Sequence, residues 1–81
     1  MLHKTTGKAA GTYTISESKK IIAVVVQDTA NTNYLGYLIN MDGNQYSGQY
    51  VASAVKITYN SDTSFTYKAI RTHTLYYITE G

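Results

Sequence analysis

With 81 residues, 15% of them charged and none of them Cys, Pro or Trp, the sequence has room for one small domain. It lacks a disulfide framework, a thiolate metal site and a Cys nucleophile. A formal net charge of +2, concentrated as Lys4, Lys8, Lys19 and Lys20 against Glu17, is too dilute for a nucleic-acid footprint. The longest apolar run, Ile21-Ile22-Ala23-Val24-Val25-Val26, falls far short of the ~20 residues that span a bilayer. The residues after Met1 are polar where a secretory signal would be apolar, so neither membrane insertion nor a leader is expected.

Residues 1–10 read as a lead-in: small, polar, glycine-flanked and without a period that could bury a face. From residue 11 to residue 81 the pattern is that of one β domain. Thr12-Tyr13-Thr14-Ile15-Ser16 alternates, which puts Tyr13 and Ile15 on one strand face. Residues 20–27 form a β-branched run suited to a central strand covered on both sides. Residues 28–33 are dense in turn formers and read as a loop.

Residues 34–40 predict a third strand, with Tyr34 and Leu38 on one face and Leu35, Tyr37 and Ile39 on the other. Gly36 inside it signals a bulge or a close approach. Asp42-Gly43 between apolar runs is a hairpin signal. Residues 45–50, broken by Gly48, read as a weak edge strand or an ordered loop. The stretch 51–59 alternates at Val55, Ile57 and Tyr59, and after Asn60-Ser61-Asp62 the chain alternates again at Phe65, Tyr67 and Ala69, forming the clearest hairpin. Residues 74–79 are a last strand. No segment carries a capped helical period. The expectation is therefore all-β: six to seven short antiparallel strands in a small sandwich or Greek-key barrel.

Leu, Ile, Val and Phe together number only 17. Domains of about 80 residues or fewer seldom draw more than ~3–5 kcal/mol from one core and usually need a staple. With no cysteine and no visible metal cluster, the staple left is association with further copies of the chain.

Recognisable catalytic parts are missing. The five acids Glu17, Asp28, Asp42, Asp62 and Glu80 stand apart, whereas carboxylate acid–base work needs two held close together. His3 and His73 have neither a cysteine nor a second histidine at ligand spacing, so no metal is expected within one chain, although a threefold axis could gather three copies of one histidine. No nucleophile elbow and no phosphate-cradling glycine loop occurs, and no cofactor is implied.

The nine tyrosines are the informative feature. Tyr13, Tyr59, Tyr67, Tyr76 and Tyr77 lie in patterned strands and suit a thin core or a subunit interface. Tyr34, Tyr37, Tyr46 and Tyr50 are interleaved with Asn31, Asn33, Asn40, Asp42, Asn44, Gln45 and Gln49. Planar aromatics among amides are what sugar or peptide-surface recognition uses, and they are equally compatible with an ordered loop that binds nothing. The candidate contact residues are Asn31, Asn33, Tyr34, Tyr37, Asn40, Asp42, Asn44, Tyr46 and Tyr50.

Four blocks carry a resemblance: Gly11-Thr12-Tyr13-Thr14-Ile15; Ile22-Ala23-Val24-Val25-Val26-Gln27-Asp28-Thr29; Ser61-Asp62-Thr63-Ser64-Phe65-Thr66; and Tyr76-Tyr77-Ile78-Thr79-Glu80-Gly81. In this layout the chain resembles the C-terminal tip domain of bacteriophage and prophage tail fibres over residues 11–81. It differs from the family in having Tyr76 or Tyr77 where Trp is frequent, and Glu80 where a small apolar residue is usual. The resemblance implies a parallel homotrimer of β-sandwiches at the outer end of a virion fibre, with residues 1–10 leading in from an upstream stalk. It also implies non-catalytic attachment to a host bacterial surface, through a glycan or an outer-surface protein. Two alternatives stay open: a purely structural trimerisation and closure module, and a free-standing small lectin-like module.

Overall fold

The computed structural model describes residues 1–51 and 53–81. Ala52, inside the stretch 51–59 read as a strand, lies outside the described residues. Eight strands follow one another: β1 (Leu2–Lys8), β2 (Gly11–Ser16), β3 (Ile21–Asp28), β4 (Leu35–Met41), β5 (Asn44–Gln49), β6 (Val55–Ser61), β7 (Ser64–Ala69) and β8 (His73–Thr79). They pair antiparallel into a five-stranded sheet, β1-β8-β3-β4-β5, and a three-stranded sheet, β2-β7-β6. The chain is all-β, as its alternation requires, and the two sheets make a sandwich.

The strand count exceeds the expected six to seven by β1, so residues 1–10 are not simply a lead-in. This edge strand needs no apolar period of its own, because backbone pairing to β8 holds it. Side chains add to that pairing. The His3 ring stacks on Tyr77 with centroids 4.4 Å apart, and its Nε2 lies 3.1 Å from the Thr79 hydroxyl. Lys4 Nζ lies over the Tyr76 ring at 5.5 Å.

The core lies between the sheets. Ile21, Val24, Val26, Leu38 and Leu75 face Val55, Ile57, Phe65, Tyr67 and Ala69. Burying each larger side chain contributes about 1.5–3 kcal/mol. Four of the five patterned-strand tyrosines serve this core: Tyr67 is buried, and Tyr13, Tyr59 and Tyr77 pack against it. Tyr76 instead faces away, on the outer side of its sheet.

Polar groups drawn into the interior are all partnered; among the described residues no buried side-chain nitrogen or oxygen is left without a hydrogen bond. Tyr77 donates to Glu17 Oε2 at 2.6 Å. Burial, reinforced by that carboxylate, pushes the Tyr77 hydroxyl up to about 12. Fully buried His73 donates from Nδ1 to the Arg71 carbonyl at 2.9 Å, and its Nε2 meets the Tyr67 hydroxyl at 2.8 Å.

Candidate functional site

The nine candidate contact residues do not converge on one site. Antiparallel strands carry chain neighbours far apart along a sheet, and the nine fall into four places.

Asn31, Asn33 and Tyr34 sit in the β3–β4 loop, residues 29–34. Asp28 organises this loop from the end of β3. Its Oδ1 accepts the N–H groups of Ala30 and Asn31, both at 2.9 Å, in the manner by which aspartates close turns. Further on, Asn31 Oδ1 accepts Asn33 N–H at 3.1 Å, and Asn31 carbonyl accepts Tyr34 N–H at 2.9 Å. Gln27 Nε2 donates to the Thr32 carbonyl, and Thr29 N–H to the Thr72 carbonyl. The loop is thus braced both internally and against residues 70–72, which connect β7 to β8.

Arg71 completes this end. Its Nε donates to Asp28 Oδ2 at 2.9 Å, and its guanidinium lies 4.7 Å over the Tyr34 ring. The Asp28 side chain is almost wholly buried while that of Arg71 is 46% exposed, so the arginine bridges interior and solvent. Burial by itself would raise the Asp28 pKa. The N–H bonds from Asn31 and Ala30 and the adjacent Arg71 outweigh it and hold the carboxyl below its ordinary value. Beside the pair lies an open groove of about 470 Å³ lined by Ala9, Ala10, Thr29, Ala30, Arg71 and Thr72. Arg71 was absent from the sequence-derived candidates; being the only arginine of the chain was the one signal that could have marked it.

Tyr37 and Tyr46 lie on the outer face of the five-stranded sheet, 42% and 55% exposed. The Tyr37 ring occupies the space a side chain at 48 would need, coming within 2.9 Å of where a β-carbon on Gly48 would stand. Tyr50 is 75% exposed just beyond β5, with its N–H bonded to the Leu35 carbonyl, so it stands at the same end of the sheet as Tyr34. A shallow recess of about 260 Å³ runs between Leu35, Tyr37, Gly48, Gln49 and Tyr50.

Asp42 and Asn44 flank the β4–β5 turn, at the opposite end of β4 from Tyr34. Asn44 Nδ2 donates to the Asp42 carbonyl at 3.2 Å. Asn40 is on the inner face and buried. Its Nδ2 donates to Asp62 Oδ1 at 3.0 Å and to the Ile21 carbonyl, and its Oδ1 accepts from Gln45 Nε2 at 3.0 Å. Bonds from Asn40 and from the Tyr59 hydroxyl lower the Asp62 pKa, and the same carboxylate raises that of Tyr59. Asn40 is therefore spent on tying the sheets together. Of the nine, Asn31, Asn33 and Tyr34 on the β3–β4 loop and Tyr50, bonded to Leu35 at the start of β4, lie at the same end of the five-stranded sheet.

Among the described residues no group of three or more His, Cys, Asp and Glu side chains could hold a metal ion. Gathering three copies of His73 around an axis would require both ring nitrogens to leave the bonds they make inside the core. No protein-family model, no curated protein and no solved structure matches the chain.

Proposed function

We propose that this chain is the tip domain of a phage tail fibre, a non-catalytic homotrimer on the outside of the virion that attaches to a glycan on a host bacterial surface. The observation that carries the reading is the loop end. There Arg71, its guanidinium 4.7 Å over the Tyr34 ring, lines an open groove together with Thr29 and Ala30 of the braced loop, and the exposed Tyr50 stands at the same end of the sheet. Aromatic faces give sugars an apolar platform, and amide and guanidinium groups bond their hydroxyls. Bracing by Asp28 lowers the ordering cost that a mobile loop would incur on binding.

Binding of the purified protein to a panel of bacterial surface polysaccharides tests it, with Tyr50→Ala and Asn33→Ala as variants, since both side chains are exposed and hold nothing in the core. At least a tenfold loss of binding is expected for Tyr50→Ala. Unchanged binding in both variants sinks the loop-end site.

A second reading is favoured by a different observation. Tyr37 and Tyr46 belong to a broad apolar sheet face, which is what a trimerisation and closure module presents. Under that reading no polysaccharide is bound, while the assembly is as stable as the first reading requires.

A further inference from the structure

The two sheets treat their outer faces oppositely. On the three-stranded sheet the outward positions are Thr12, Thr14, Lys56, Thr58, Thr66 and Lys68, joined by bonds such as Thr14 Oγ1 to Thr66 Oγ1 at 3.0 Å. That is the polar outer side of an antiparallel sheet in water.

On the five-stranded sheet the outward polar positions, Gln27 and Thr74 toward one end and Asn44 at the other, flank two rows that are mostly apolar. Pairing places Leu2 beside Ile78, Ile78 beside Ala23, Ala23 beside Ile39 and Ile39 beside Tyr46, an apolar row running from one edge of the sheet to the other. The next outward row reads Lys4, Tyr76, Val25, Tyr37, Gly48. Of the eight exposed large hydrophobic residues among those described, five stand on this one face: Leu2, Tyr37, Met41, Tyr46 and Ile78. A shallow dent of about 60 Å³ opens on it, with Leu2, Val25, Tyr76 and Ile78 in its lining.

We infer that this face is a self-association surface, covered in the assembled protein by the same face of further copies of the chain. Size supports a stable contact. Five strands about 4.8 Å apart, with outward residues running about 20 Å along β4, present roughly 500 Å² per copy. Two such faces together reach the ~1,000 Å² at which specific interfaces begin. Charge selects the occupant. Apposing a surface with itself penalises any charged patch, and the two central rows hold one charged residue, Lys4, on the edge strand and laid over Tyr76. A charged partner would find only Lys4, at the edge of these rows, to pair with. Twisted sheets meet face to face about 10 Å apart, with side chains of this length interdigitating between them.

The inference goes beyond the proposed function in placing the contact between copies on this face, and it is independent of any receptor. It also assigns Tyr37 and Tyr46 to the interface and leaves the loop end as the surface open to a ligand.

Sedimentation equilibrium on the full chain tests it, with Val25→Lys at the centre of the face, the double variant Tyr46→Lys/Ile78→Lys toward its edges, and Thr58→Lys on the polar face as control. Circular dichroism checks that each variant keeps its strands. The wild type and Thr58→Lys are expected to sediment as oligomers. Val25→Lys is expected to sediment as a folded monomer, its dissociation constant raised at least ~30-fold. Should Val25→Lys fail to fold, the double variant at half-exposed positions decides. A wild-type monomer overturns both this inference and the trimer. An oligomer that survives Val25→Lys and the double variant overturns this face alone. A mass of two chains supports the face and overturns the threefold arrangement.

Discussion

Gly36 on β4 lies directly against Val55 on β6: a β-carbon on the glycine would come 2.8 Å from the valine Cγ1. This close approach joins the two sheets at a seam where neither backbone can retreat without breaking its own ladder. Gly36→Ala is expected to lower unfolding free energy by about 1–3 kcal/mol through overpacking. Urea denaturation measures it. Combining the change with Val55→Ala should recover part of the loss, because the shorter side chain vacates the clashing position.

Gly43 has the opposite problem, with open space around it and a φ of +75°. Together with Asp42 at φ 52° it forms the tight β4–β5 turn. Gly43→Ala is expected to cost about 1 kcal/mol by backbone strain alone. Gly43→Asn should cost less, since asparagine tolerates the left-handed region. Thermal melts of the two variants compare the costs directly.

Tyr67→Phe removes the hydroxyl that meets His73 Nε2 at 2.8 Å in the buried core. The ring volume is kept, so the loss comes from a ring nitrogen left without a partner. The expected destabilisation is about 1–3 kcal/mol. A matching His73→Leu/Tyr67→Phe double variant should be less destabilised than the sum of its parts, which a double-mutant cycle reads.

Asp28 makes stability depend on acid. Its folded pKa lies below the ordinary value, so the ionised carboxylate stabilises the native state. That contribution is whole above about pH 4, the ordinary aspartate pKa, and is lost as pH falls through the lowered folded value. Asp28→Asn is expected to be less stable than the wild type at pH 7. The gap should narrow in acid, where both side chains are uncharged. Urea midpoints measured from pH 7 down to pH 2 on both proteins give the two curves.

Much of the sandwich was legible because burial writes itself into alternation. Tyr13 with Ile15, and Phe65 with Tyr67 and Ala69, share inward faces as a period of two requires, whereas the run Ile21–Val26, apolar on both faces, gave no sign that Val24 and Val26 point inward and Val25 outward. β1 was not legible, since its hold on β8 rests on backbone bonds and on rings stacked across strands. The candidate site was the least legible part. Tyr34 and Asp42 are close in sequence, yet a strand at about 3.4 Å per residue carries them to opposite ends of the sheet. Arg71 and Tyr34 are far apart in sequence and touch, and no local pattern encodes a pairing between two loops.

β8 follows every other strand in chain order yet takes a place between β1 and β3. As the polypeptide emerges from the ribosome, the Ile21–Asp28 strand can zip to β4 on one side only. Its other edge stays bare until residues 73–79 arrive. For that interval a β-branched segment with no proline and no charge before its terminal Asp28 stands ready to recruit the wrong neighbour. Closing the sheet demands contacts between distant parts of the chain, which places refolding in the millisecond-to-second range. The nascent protein therefore passes through a window in which dilution or a chaperone decides between the native sheet and an aggregate.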